Sequence, residues 1–118
     1  MSNPNIVEVT SISGKTACAV ATASPVALVT NAALSGTVLK LNTILAANVS
    51  NVAVTITLDL YRNSTSYQIA PAISVPAKSL LTVLGKDTAI YLEEGDALRV
   101  SSNTASALSV TASYEILA

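Results

Sequence analysis

Apolar and polar residues alternate with a period of two along most of the chain. The clearest run is 52–61, where Val52, Val54, Ile56, Leu58 and Leu60 fall on one face and Ala53, Thr55, Thr57 and Asp59 on the other. Such a period marks a half-buried strand. The last segment repeats it, with Leu108, Val110, Ala112, Tyr114 and Ile116 set against Ser109, Thr111, Ser113 and Glu115. Weaker alternation predicts strands at 6–10, 15–22, 26–30, 37–47, 66–73, 80–84, 89–92 and 97–101. Within 37–47, Leu39, Leu41 and Leu45 form one face, and Val38, Lys40, Asn42 and Ile44 the other. Pro71 inside 66–73 marks an edge strand or a bulge, because proline cannot donate to a ladder.

Turn residues punctuate these runs. Ser13-Gly14-Lys15, Leu34-Ser35-Gly36 and Gly85-Lys86-Asp87 read as turns, and Asn63-Ser64-Thr65 and Ser102-Asn103-Thr104 as hairpin tips. In Glu93-Glu94-Gly95-Asp96, Gly95 takes the positive φ and the acidic residues keep the tip solvated. No apolar stripe at helical spacing survives a ten-residue window, and one short helical turn is expected, at 31–35. The prediction is an all-β chain: a single antiparallel β-sandwich of about eight or nine strands, of jelly-roll or immunoglobulin-like type. Parallel βαβ units are excluded because they need crossover helices.

Length and composition narrow the function. The 118 residues make one domain, 1–118, with 1–9 as an extended N-terminal arm, and a chain of this size buries about two-thirds of its unfolded surface. Histidine is absent, which excludes a Ser-His-Asp triad and a Cys–His pair. Cys18 is the single cysteine, so no internal disulfide or Cys/His zinc site forms; it reads as a small apolar strand residue. The glycines are too scattered for a phosphate-cradling loop. The seven acids include the cluster Glu93, Glu94 and Asp96, but on one tight turn rather than across a cleft. No catalytic residue, cofactor or metal site is expected, and the chain is read as not an enzyme. A net charge of −1 leaves no basic footprint for nucleic acid. No run of about 18 apolar residues is present, so no membrane insertion is expected. The segment before Ala21-Thr22-Ala23 carries Glu8, Gly14 and Lys15 and lacks the apolar run of a signal peptide.

The informative excess is hydrophobic. Apolar residues make up 51% of the chain and charged residues 11%, well below the usual ~25%. Several strands are apolar on both faces, which predicts surface covered by association and hence a homo-oligomer.

The second half carries Leu58-Asp59-Leu60-Tyr61-Arg62-Asn63, Tyr67-Gln68-Ile69-Ala70, Val75-Pro76-Ala77, Leu84-Gly85-Lys86-Asp87, Ile90-Tyr91-Leu92-Glu93-Glu94-Gly95-Asp96 and Ser113-Tyr114-Glu115. The first half carries Gly14-Lys15-Thr16-Ala17 and Asn42-Thr43-Ile44-Leu45-Ala46-Ala47-Asn48. Together these resemble small virion structural proteins of tailed bacteriophages, particularly those of cyanobacterial and marine hosts. The resemblance implies a β-sandwich subunit of a phage particle, assembled in the host cytoplasm and partnered by other virion proteins. Capsid decoration, tail, neck and baseplate positions all fit it. The segment Ser2, Asn3, Pro4, Asn5, Ile6 and Val7 is the expected partner contact, because a proline-containing terminal strand easily leaves its own sheet. The competing expectation is a receptor- or carbohydrate-binding module at a tail tip, which requires Tyr61, Tyr67 or Tyr91 exposed beside the polar hairpin tips.

Overall fold

The computed structural model describes Glu8 and residues 10–118. Among these described residues nine strands follow one another: β1 (Ile12–Val20), β2 (Val26–Thr30), β3 (Val38–Asn48), β4 (Val54–Arg62), β5 (Thr65–Val75), β6 (Leu80–Leu84), β7 (Ile90–Leu92), β8 (Ala97–Ser102) and β9 (Leu108–Leu117). They form two antiparallel sheets. One has the order β1-β9-β3-β6, with β7 also paired to β3; the other has the order β2-β8-β4-β5. With β6 and β7 counted as one interrupted strand, this is the jelly-roll order. An immunoglobulin-type sandwich pairs its first two strands within one sheet, whereas here β1 and β2 lie in opposite sheets.

The core fills the space between the sheets. Leu41, Ile44, Ile56, Leu58, Leu92, Leu98 and Leu108 are its largest fully buried side chains. Strands β4, β8 and the first half of β9 contribute every second residue, as the period-two patterns require. Val54, Ile56 and Leu58 of β4 point inward beside Leu98 and Val100 of β8.

Strand β3 departs from strict alternation. Leu41 pairs with Tyr114 but Thr43 pairs with Ser113, so Asn42 is the extra residue of a bulge. The bulge exchanges the two faces. Leu39 and Leu41 face the core before it, and Ile44 and Ala46 after it, while Leu45 turns outward and is only half-buried. The expected face of Leu39, Leu41 and Leu45 is therefore wrong in its last member. The two-sided apolar pattern of 37–47 arises from this switch, in which each segment buries its own apolar set.

Other expectations also change. Residues 31–35 form no helix: Leu34 takes φ 58° in a turn, and a short helical piece, a 3-10 turn, lies instead at Lys86–Thr88. Ser13-Gly14-Lys15 is not a turn but the interior of β1, whose pairing with β9 runs without a break from Ile12 to Val20. Ser102-Asn103-Thr104 is not a hairpin tip, since β8 and β9 belong to different sheets. Asn63 and Ser64 do form the two-residue tip joining β4 to β5, with φ 52° and 61°, the two positive values of a type I′ turn. Pro71 sits on edge strand β5, where Ile56 pairs with Ile73 and Leu58 with Ala70. Pro71 and Ala72 thus bulge opposite Thr57, whose Oγ1 accepts the Ala72 amide at 3.1 Å. The expected strand 6–10 falls outside the described residues except for Glu8 and Thr10, neither of which is in a strand.

Candidate functional site

The polar side chains buried in this sandwich cluster at its loop ends and on one sheet face. Asn31 directly follows β2 and is buried. Its Nδ2 donates to Thr37 O and Leu92 O, both at 3.0 Å, and its Oδ1 accepts from Ser35 Oγ at 2.7 Å and Thr37 Oγ1 at 3.3 Å. Every polar position of the amide is used. At the other end of β3, Asn48 does the same. Its Nδ2 donates to Val52 O at 2.8 Å and Val75 O at 3.0 Å, and its Oδ1 accepts from Ser50 N and Ser50 Oγ. Asn48-Val49-Ser50 matches the glycosylation pattern, but this amide is sealed inside the fold and holds the β3–β4 connection.

The acidic turn 93–96 is not simply solvated. Asp96 is 2% exposed and accepts from Arg62 Nε at 2.9 Å, from Arg62 Nη2, and from the Glu93 amide at 2.8 Å. Arg62 also reaches Glu93 Oε2 at 2.8 Å. Glu94 Oε2 accepts the Gly36 amide at 2.8 Å, and the Gly95 amide donates to Asn31 O at 2.9 Å. Gly95 takes φ 88°, the left-handed conformation that glycine adopts without strain. The acids therefore lock the β2–β3 and β7–β8 loops to the end of β4. Hydrogen bonding to Asp96 and the charges of Asp96 and Glu93 raise the Arg62 pKa still higher against the cost of burial, so Arg62 is a permanent cation here.

A second ion pair lies on the outer face of β4 and β8. Arg99 donates to Asp59 through Nε at 3.0 Å and Nη2 at 2.8 Å, and its guanidinium stacks 4.0 Å above the Tyr61 ring centre. Ser66 Oγ completes the set by donating to Asp59. Burial pushes the Asp59 carboxyl up, but the Arg99 and Ser66 hydrogen bonds and the Arg99 charge outweigh it and hold the group below its ordinary value. The sign follows from linkage: a carboxyl depressed in the fold contributes stability above its unfolded pKa of about 3.9 and loses it as pH falls through the folded value. Melting temperatures measured from neutral pH down to about pH 2 are expected to fall more steeply below pH 4 for the native chain than for Asp59→Asn. Equal slopes would remove Asp59 from the acid response.

The tyrosines do not gather. Tyr61 lies under Arg99 on the outer face of one sheet. Tyr91 pairs with Lys40 on the outer face of the other. Tyr67 sits opposite Leu60 on β5, on the face turned away from that of Tyr61. No shared aromatic platform for a sugar results. Among the described residues no pocket indents the surface and no group of His, Cys, Asp or Glu is arranged as a metal site. Cys18 is a free thiol, exposed rather than packed in the core. The expected contact residues Ser2, Asn3, Pro4, Asn5, Ile6 and Val7 lie outside the described residues.

Sequence reasoning missed both asparagine clamps and both arginine–aspartate pairs. The spacing of Asn48 and Ser50 is that of an Asx-turn and was the available signal for one clamp. Asp59 alone among the mid-strand residues of β4 carries charge, which signalled a partner on a neighbouring strand without saying which.

No protein-family model and no curated protein matches the chain. Among solved structures the chain is similar to one described as Bacillus endospore appendages that form a novel family of disulfide-linked pili. The TM-score is 0.50 and the identity 15%, over 99% of this chain and 88% of that one. At this identity the likeness concerns the fold.

Proposed function

We propose that this chain is a non-enzymatic structural subunit that works by assembling with copies of itself and with other proteins, in the virion of a tailed phage. One observation carries the assembly reading: the buried side chains of Asn31, Asn48, Asp59 and Asp96 are engaged in holding loops and strands, while the outward surface keeps large apolar residues such as Ile12, Val20, Leu80 and Val52 exposed. A surface of that kind gains free energy from contact rather than from chemistry. The virion placement rests on the sequence resemblance, and residues 2–7 remain its proposed partner contact.

A fibre subunit is the second reading, favoured by the fold likeness to a pilus protein. Linkage in such a fibre would differ from that in disulfide-linked pili, because the single Cys18 of this sequence joins two copies at most. Quantitative mass spectrometry of purified phage particles tests the leading reading. A copy number comparable to that of the major capsid protein is expected for a shell subunit, and a small fixed number for a neck, tail or baseplate subunit. Absence of the chain from the particles would overturn the virion reading.

A further inference from the structure

A sandwich has four lateral edge strands, and each exposes unpaired backbone groups that invite another strand. Three of the four edges here are spoiled. Strand β2 has five residues and a register break between Ala27 and Val29. Strand β5 carries Pro71, two register breaks and Ala72 at φ 48°. The edge formed by β6 and β7 is interrupted by the 3-10 turn at Lys86–Thr88. Among the described residues only β1 is unbroken: nine residues, Ile12 to Val20, in uninterrupted register with β9 and without proline.

The free hydrogen-bonding groups of β1 can be assigned. Ser11 and Ala118 exchange both backbone bonds, at 3.1 and 3.0 Å, and the Ala21 amide donates to Leu108 O at 2.9 Å. In an antiparallel ladder such pairs alternate. The odd-numbered residues therefore bond β9, and the N–H and C=O of Ile12, Gly14, Thr16, Cys18 and Val20 point away from the sheet. The side chains of Ile12, Thr16, Cys18 and Val20 also share its outer face, because Ala17 and Ala19 pack against the core.

We infer that a second copy of this chain pairs its β1 antiparallel with this one about a two-fold axis at Thr16, joining two sheets into one; the inference rests on the assembly reading above. Among the described residues no other edge of a second copy offers an unbroken strand. In the register centred on Thr16, each outward N–H and C=O of β1 meets its counterpart. Gly14 falls opposite Cys18 of the second copy, and Ile12 opposite its Val20. Ile12 and Val20 are 63% and 55% exposed in the single chain, and the pairing turns them into apolar cross-strand pairs. Lys15, the one charge on β1, faces Ala17 rather than its own copy, which keeps the two ammonium groups diagonal.

Two variants of the full chain test this. Thr16→Pro removes an outward N–H without touching a bond to β9, and proline is tolerated on an edge. Gly14→Cys places a thiol opposite the native Cys18, in a setting where an added Cβ meets no heavy atom within 4 Å. Hydrogen-bonded antiparallel pairs lie about 5.5 Å apart between Cα atoms, within disulfide reach. Sedimentation of the native chain is expected to give an even-numbered assembly, and Thr16→Pro, with its circular dichroism unchanged, a species of half the mass. Mild oxidation is expected to convert Gly14→Cys, but not Gly14→Ser, to a covalent dimer. A native chain monomeric at all concentrations would overturn the assembly reading and this inference together. A native chain that associates while Thr16→Pro associates equally would overturn the β1 pairing alone. Dissociation by Thr16→Pro without cross-linking of Gly14→Cys would overturn the two-fold register. Should Thr16→Pro fail to fold, the cross-link decides by itself.

Discussion

Asp96→Ala is expected to destabilise the fold by about 3 kcal/mol, measured by urea unfolding at neutral pH. The carboxylate is buried, and it alone receives the Arg62 fork and the Glu93 amide. Removal leaves a guanidinium whose remaining carboxylate partner among the described residues is Glu93, together with an amide that has lost its acceptor. Breaking a buried pair on one side costs more than the pair contributes, because the desolvation of the survivor is no longer offset. The Arg62 side chain keeps 35% of its surface in water, which places the loss toward the low end of the range for buried pairs. Arg62→Met combined with Asp96→Leu should recover part of that stability, since no charge is then stranded. A loss below about 0.5 kcal/mol for Asp96→Ala, the level of an ordinary surface change, would show that water replaces the pair and that the loops at this end do not depend on it.

The second large effect tests the bulge at Asn42. Ile44→Ala is expected to cost about 2–5 kcal/mol, the range for emptying a packed site, because Ile44 is fully buried among the core residues. Leu45→Ala should cost under about 1.5 kcal/mol, since its half-buried side chain stands on the outer face. The strict alternation of 37–47 predicts the reverse, with Leu45 inside and Ile44 outside. Chemical denaturation of the two variants distinguishes the arrangements. Equal losses, or a larger loss at Leu45, would place the bulge elsewhere.

How far the sequence reaches is clearest in β4 and β3. The period-two pattern of 52–61 identified the buried face of β4 because nothing interrupts its inner row from Val54 to Leu60. The same reasoning failed in β3, because one inserted residue reverses every side chain that follows it, and an unpaired Asn42 leaves no local mark when both faces are apolar. Pro71 was legible as an edge or bulge because its missing N–H is a local property. Gly14 was misread as a turn because a glycine on an edge strand looks the same in sequence as a glycine in a turn; only its partner strand β9, some hundred residues away, tells them apart.

The polar clamps show the same division. Composition alone showed that this sequence has no histidine and few charges. The alternation and turn residues established an all-β sandwich of eight or nine strands, since both are local consequences of backbone geometry. Which strands lie side by side, and so the jelly-roll order, required the fold, because strand pairing joins residues far apart in the chain. The same is true of Asp59 with Arg99 and Asp96 with Arg62, pairs separated by 40 and 34 residues. Local sequence dictates which residues an uninterrupted strand buries, and only the closed sandwich decides where a bulge reverses that choice, which buried charges meet and which edge is left open.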